Sequence, residues 1–87
     1  MRVIGLTRIA RIAALNSRVS NLVDAWYSIA KHSTWRDFRS VRQSFPQAES
    51  QNATTIIFPL GSASCRITTL VEFATGTLLV CEIEIAE

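Results

Sequence analysis

"TTIIFPLGSASCRITTLVEFATGTLLVCEIEI", residues 54–85, alternates apolar and polar residues with a period of two and is broken at Gly61 and Gly76. A period of two is the signature of β-strands with one buried face, so the stretch predicts three strands joined by turns. Ile56, Phe58 and Leu60 fall on one face of the first. Pro59 has no amide hydrogen to donate to a ladder, so that strand is expected to be an edge or to turn there. A three-residue loop Ala74-Thr75-Gly76, with the glycine left-handed, pairs Val71 with Leu79, Thr69 with Cys81, Ile67 with Ile83 and Cys65 with Ile85. The large apolar residues then share one face, except Leu70, Leu78 and Val80, whereas a two-residue loop would set Glu72 against Leu79 and mix the faces. In this register Arg66 lies opposite Glu84 and near Glu82, where a cross-strand ion pair is expected. The two cysteines lie about 13 Å apart along the strands, beyond the limit of about 7 Å for a disulfide, and are expected to be free.

Upstream the period changes. "RVI" at 2–4 predicts a short strand, and from Leu6 the apolar positions Ile9, Ile12 and Ala13 take helical spacing until Asn16-Ser17 interrupts it. Val19, Leu22, Val23, Trp26 and Ala30 form one stripe of a second helix, with Ser17 as its expected N-cap. A third, shorter helix turns Phe38 and Val41 inward and ends before Phe45-Pro46, because the residue preceding proline avoids helical geometry. The polar run "QAESQNA" at 47–53 reads as a connection. With 87 residues, 48% of them hydrophobic, the chain is expected to form one domain over 1–87. Its fold class is α+β: a short N-terminal strand and two to three helices packed on a small antiparallel sheet.

Charge is divided unevenly. Residues 1–42 carry eight cations and two acids, a net +6, while residues 43–87 carry Arg66 against five glutamates, a net −4. Such a basic half favours a polyanionic partner. Arg36, Arg39 and Arg42, at i, i+3 and i+6 after Lys31 and beside Trp35, would form one polar arc of a helix able to meet successive RNA phosphates. The same spacing also suits an ordinary solvated face. His32 is the only histidine, the residue type most often used as acid or base in catalysis, although a helix C-terminus also suits a histidine structurally. Trp26 belongs to the core stripe, and Tyr27 and Trp35 are expected to support it. Packing should turn the guanidinium groups outward beside the β-layer as one cationic saddle.

The functions left are few. No serine elbow, phosphate loop, metal-ligand spacing or paired-carboxylate motif occurs, so neither metal nor cofactor is called for. Arg8, Arg11 and Arg18 interrupt the N-terminal apolar stretch below the roughly 18 residues that a membrane span requires. That arginine-rich opening also has the composition of a transit peptide, but its residues supply a helix face to the core. Cysteine usage suits a reducing compartment, which makes the cytoplasm the expected location. Metal-free RNA cleavage remains feasible, because the RNA's own 2′-hydroxyl attacks the adjacent phosphate and the protein supplies a base, an acid and cations.

In order along the chain stand "MRVI" at 1–4, "AWY" at 25–27, Trp35, "FPQAE" at 45–49, "IIFPLG" at 56–61 and "CRI" at 65–67. Together they resemble the HigB-type toxins of bacterial toxin–antitoxin systems, a branch of the RelE-like fold, whose pattern has an apolar strand ending F-N-I-G and a following Y-R-L. The resemblance implies an endoribonuclease that cleaves messenger RNA on the translating ribosome and is held inactive by a helix-turn-helix antitoxin. It makes Arg66 the stabiliser of the scissile phosphate and Lys31 an RNA contact. His32 joins them as a candidate catalytic group, with Arg36, Arg39 and Arg42 as RNA-binding candidates. The chain departs from the pattern at Pro59 and Ala63, where the family has asparagines, and at Cys65, where it has tyrosine. It ends Ile85-Ala86-Glu87 where the family continues T-H-x-E-Y-D. A second reading therefore stands beside the first: a non-catalytic relative that binds RNA, the ribosome or the antitoxin. A third, a subunit of a larger assembly, would show an exposed apolar patch at Leu70, Leu78 and Val80.

Overall fold

The computed structural model describes residues 1–62 and 64–85. Its elements are β1 (Arg2–Ile4), α1 (Leu6–Ala13), α2 (Ser17–His32), α3 (Phe38–Ser44), β2 (Glu49–Ser50), β3 (Thr55–Leu60), β4 (Cys65–Glu72) and β5 (Thr77–Ile85). The strands form one sheet in the order β1-β5-β4-β3-β2. It is antiparallel apart from β1, which runs parallel to β5. This is the expected α+β architecture, with a mixed rather than wholly antiparallel sheet. Ala63, Ala86 and Glu87, three of the positions where the chain departs from the family pattern, lie outside the described residues.

The core lies between the helices and one sheet face. Val19, Val23, Trp26 and Ala30 of α2 are buried as the stripe requires, together with Ile9 and Ala13 of α1 and Val41 of α3. Ile12 turns out to solvent, since the stripe of an eight-residue helix is completed by Ile9 and Ala13. From the sheet come Ile56, Phe58, Leu60, Cys65, Ile67 and Val71. Phe58 is the hub: the Trp26 ring meets it edge-on at 5.4 Å, Phe45 meets it edge-on at 5.3 Å and Trp35 stacks on it at 5.9 Å. Pairs of this kind add about 0.5–1.5 kcal/mol each beyond area burial. Thr69, buried among them, donates its hydroxyl to the Ile56 carbonyl at 2.8 Å, which satisfies it.

Three local expectations change. Asn16 rather than Ser17 caps α2, its side-chain oxygen accepting from the amides of Arg18 and Val19. Helix α3 starts at Phe38, and Arg36 lies ahead of it, because Asp37 takes the N-cap by accepting from the Ser40 amide. The polar connection contains β2, which pairs Glu49 with Ile57 and Ser50 with Ile56. β2 stops short of Pro59, so that residue does stand where β3 has an open edge.

The hairpin register is half as expected. Cys65 pairs with Ile85, Arg66 with Glu84 and Ile67 with Ile83, but Thr69 meets Val80 and Val71 meets Leu78, not Cys81 and Leu79. A bulge gives β5 one extra residue, Cys81, and the turn holds four residues between Glu72 and Thr77. Gly76 does take the left-handed conformation, at φ 67°. The bulge reverses the facing of β5, so that Leu78 and Val80 enter the core and Leu79 turns out. β1 supplies the reason: it pairs Val3 with Leu78, and Val3 packs against the core. The apolar patch expected at Leu70, Leu78 and Val80 is thus not there. Ile4, Leu79 and Leu70 are each about 40% exposed in a cross-strand row instead.

Candidate functional site

Alternate residues of β4 face away from the helices, and Arg66 is one of them. Its guanidinium is half exposed and Nη2 donates to Glu49 Oε2 at 2.8 Å. The partner is therefore Glu49 from β2, not the cross-strand Glu84. Glu84 and Glu82 still line the same recess, with Gln51, Thr68 and Ile57. Ile57 is 7% exposed although it lies on this outer face and outside the main core cluster; it is the apolar floor of the site. The recess is small, about 170 Å³. Its lining holds one guanidinium and two carboxylates, and with Glu49 paired to Arg66 beside it the group carries a net −2.

Lys31 and His32 sit elsewhere. They occupy the last turn of α2, on the helical side of the sheet and toward the β4–β5 turn. Arg66 is near the other end of β4; the six residues from there to Glu72 span about 20 Å. The sequence-derived catalytic trio therefore divides, with Arg66 on the bare face and Lys31 and His32 behind the sheet. The single cationic saddle expected from the sequence is likewise divided by the sheet.

The end of α2 shows what His32 does there. His32 Nδ1–H donates to the Ser28 carbonyl at 2.8 Å, Ser33 Oγ donates to Ile29, and the Met1 amine donates to Ala30, Lys31 and Ser33. Carbonyls left open at a helix C-terminus are thus satisfied, and positive charge stands at the negative end of the dipole. Lys31 Nζ lies 5.6 Å from the Tyr27 ring centroid, a cation–π distance. Around this end opens a cleft of about 530 Å³, lined by Arg2, Lys31, His32 and Arg36 against the turn at 73–76. Arg39 and Arg42 are exposed on α3, where Arg42 donates to the Pro46 carbonyl at 3.1 Å.

Sequence reasoning missed Glu49 as the partner of Arg66 and Arg2 as a neighbour of Lys31. Glu49 lay within the quoted "FPQAE" and was an available signal. Arg2 comes to line the same cleft as Lys31 through the pairing of β1 with β5 and the bonds of the Met1 amine to the end of α2. Among the described residues no group of three or more His, Cys, Asp or Glu could hold a metal ion, and no helix is long and apolar enough to cross a membrane.

Helices on one face of a sheet, a bare opposite face and an arginine on its middle strand make a RelE-like α+β domain. The family model of the HigB toxin, the RelE-like toxic component of a toxin–antitoxin system, matches residues 19–84, from α2 into β5, and the chain belongs to that family. It is thereby the toxin side of such a system, with an antitoxin as partner. A comparison with curated proteins returned no match.

Proposed function

We propose that this toxin is a ribosome-dependent endoribonuclease that cleaves messenger RNA in the cytoplasm on the bare sheet face, and that a helix-turn-helix antitoxin restrains it. The observation that carries the proposal is the Arg66–Glu49 pair at 2.8 Å. Metal-free cleavage needs a base beside a cation, and this pair supplies both. Glu49 takes the proton of the RNA 2′-hydroxyl, whose oxygen attacks the adjacent phosphorus. The bond from phosphorus to the 5′-oxygen breaks, the leaving oxygen takes a proton from water, and a 2′,3′-cyclic phosphate remains. A guanidinium has five N–H donors and the contact with Glu49 uses one, so others remain for the phosphate as its charge grows. The net charge of Arg66 with Glu49, Glu82 and Glu84 supports dependence on the ribosome: a group with two excess negative charges does not capture a polyanion unaided, whereas a message already held in place needs no capture.

The same charge count favours a second reading. Three carboxylates around Arg66 repel a phosphate, which suits a relative that binds RNA, the ribosome or the antitoxin without turnover. Purified protein added to a translating extract, with cut sites mapped on a defined message, separates the two. The endonuclease cuts translated message, leaves free RNA intact, and loses cutting on Arg66→Ala. Intact message with the unsubstituted protein establishes the non-catalytic reading.

A further inference from the structure

Two exposed patches on opposite sides of the molecule complement each other. On the bare face, Ile4, Leu79 and Leu70 make the cross-strand apolar row. A recess of about 300 Å³ opens at Leu70 and Leu79, bordered by Thr54, Glu72 and Thr77. Acids flank the row along the strands: Glu72 lies toward the β4–β5 turn, and Glu82 and Glu84 lie further along β5. All three are exposed, and none forms an ion pair among the described residues; Glu72 accepts only from the Ala74 amide. On the helical side, α1 turns Ile9 and Ala13 inward. Arg8, Arg11, Ile12 and Leu15, at i, i+3, i+4 and i+7, share the stripe that points away from the sheet. Leu15 lies just past the helix, where its amide donates to the Ile12 carbonyl at 3.3 Å and continues the turn. It is 89% exposed, and Ile12 is 45% exposed. Arg8, Arg11 and the nearby Arg18 are exposed as well, with no ion pair among the described residues.

We propose that the two patches are the halves of one interface between copies of this chain. Leu15 of one copy enters the recess at Leu70 and Leu79 of the next, Ile12 lies along the row, and Arg8, Arg11 and Arg18 meet Glu72, Glu82 and Glu84. Large apolar side chains left in water inside a charged rim mark an interaction surface, and here the two rims have opposite sign. A second copy is the occupant that fits both patches at once. A polyanion suits α1 but leaves Leu15 in water and is repelled by the sheet face, and a basic segment of another protein suits the sheet face but leaves α1 open. Because the patches point in opposite directions, the contact is heterologous: each copy offers a protruding leucine to one neighbour and a recess to another, so copies join in file and not as a closed pair. Glu82 and Glu84 also line the Arg66 recess, and Leu70 is four residues from Arg66, about 13 Å along β4. A copy seated on the row therefore shields that recess. Only the effect of this shielding on cleavage rests on the proposed function; the association itself does not.

The test is sedimentation equilibrium of the full chain across a series from about 1 μM to about 1 mM. At low salt the average mass is expected to rise about twofold or more above the 9.7 kDa of one chain as more than two copies join. In about 1 M sodium chloride, where charges are screened within about 3 Å, it is expected to fall back. Leu15→Glu puts an acid against the acidic rim and Leu70→Lys puts a cation against the arginines, so each variant alone is expected to stay at the mass of one chain. Mixed in equal amounts, the two retain one whole interface between them, the sheet face of the first and α1 of the second, and are expected to form pairs and nothing larger. Both positions are exposed, so unchanged far-ultraviolet dichroism and thermal midpoint serve as the folding control. The proposal is overturned if the unsubstituted chain stays at the mass of one chain throughout, if either variant associates as the unsubstituted chain does, if the mixture does not pair, or if salt leaves the association unchanged. A chain that cuts message but never associates overturns this proposal alone, and one that associates without cutting overturns only the cleavage reading.

Discussion

Glu49 on β2 holds Arg66 on β4 at 2.8 Å across the intervening β3, although Glu84 stands directly opposite Arg66 on β5. Both side chains of the pair are roughly half exposed, and exposed pairs contribute only about 0–1 kcal/mol to folding. The contact is therefore weak enough to rearrange around a phosphate, while it sets the guanidinium over the Ile57 floor beforehand.

The stability of the domain rests on the aromatic hub. Phe58→Ala is expected to cost about 3–5 kcal/mol, a large share of the roughly 5–15 kcal/mol typical of a domain. A urea titration should show the midpoint falling steeply with little change of slope. A loss below about 1 kcal/mol would mean that the Trp26, Trp35 and Phe45 rings do not depend on Phe58.

Much of this arrangement was legible in the sequence. The buried stripe of α2 and the inward Val41 follow from periodicity alone, because each is fixed by neighbours close along the chain, whereas the pairing of Arg66 with Glu84 expected from a three-residue loop stands because the four-residue turn and the bulge at Cys81 offset each other. The bulge at Cys81 is not local: it follows from β1 and β5, from opposite ends of the sequence, meeting in parallel. β2 has two residues, too few to show a period. The spacing of Arg36, Arg39 and Arg42 presumes one helix, yet Asp37 is a readable N-cap signal that puts Arg36 ahead of α3. Arg66 was singled out correctly as a surface residue of the sheet, but which side of the sheet Lys31 and His32 would occupy depends on how α2 docks.

Two left-handed glycines should differ. A Cβ at Gly5 would lie 2.9 Å from the Val80 carbonyl oxygen, a backbone atom, whereas one at Gly76 would meet nothing within 4 Å. Gly76→Ala is expected to cost about 1–2 kcal/mol, the left-handed penalty alone. Gly5→Ala should cost more, since β1 or α1 must also move from β5. Thermal midpoints compare the two directly; equal losses would contradict the close approach.

Asp37 links α3 to pH. The Ser40 amide, and after it the Ser40 hydroxyl, hold its carboxyl below the ordinary 3.8. A carboxylate with a lowered folded value contributes its full stability above the unfolded value and loses it as pH falls through the folded one. Protection of the amides over residues 38–44, the exchange rate taken relative to the intrinsic rate at each pH, should therefore fall below about pH 4. Asp37→Asn, which retains an acceptor without titrating, should flatten that dependence. The same acid response in the Asn variant would place its origin elsewhere.

The thiols report the register. Cys65 is fully buried and burial pushes its thiol up, while Cys81, at the bulge, is partly exposed and both are free. A thiol reagent is expected to label one cysteine in the native protein, Cys81→Ser should abolish that labelling, and Cys65 should react only after denaturation. Prompt labelling of two thiols would contradict the inward face assigned to β4.

The most direct test of a base and a cation paired on the bare face is Glu49→Gln, assayed for cleavage of a translated message alongside a urea titration. With Glu49 as the base, stability should stay within about 0.5 kcal/mol while cleavage falls by about 100-fold or more. Cleavage that persists or rises once Arg66 is released from its carboxylate would contradict the account.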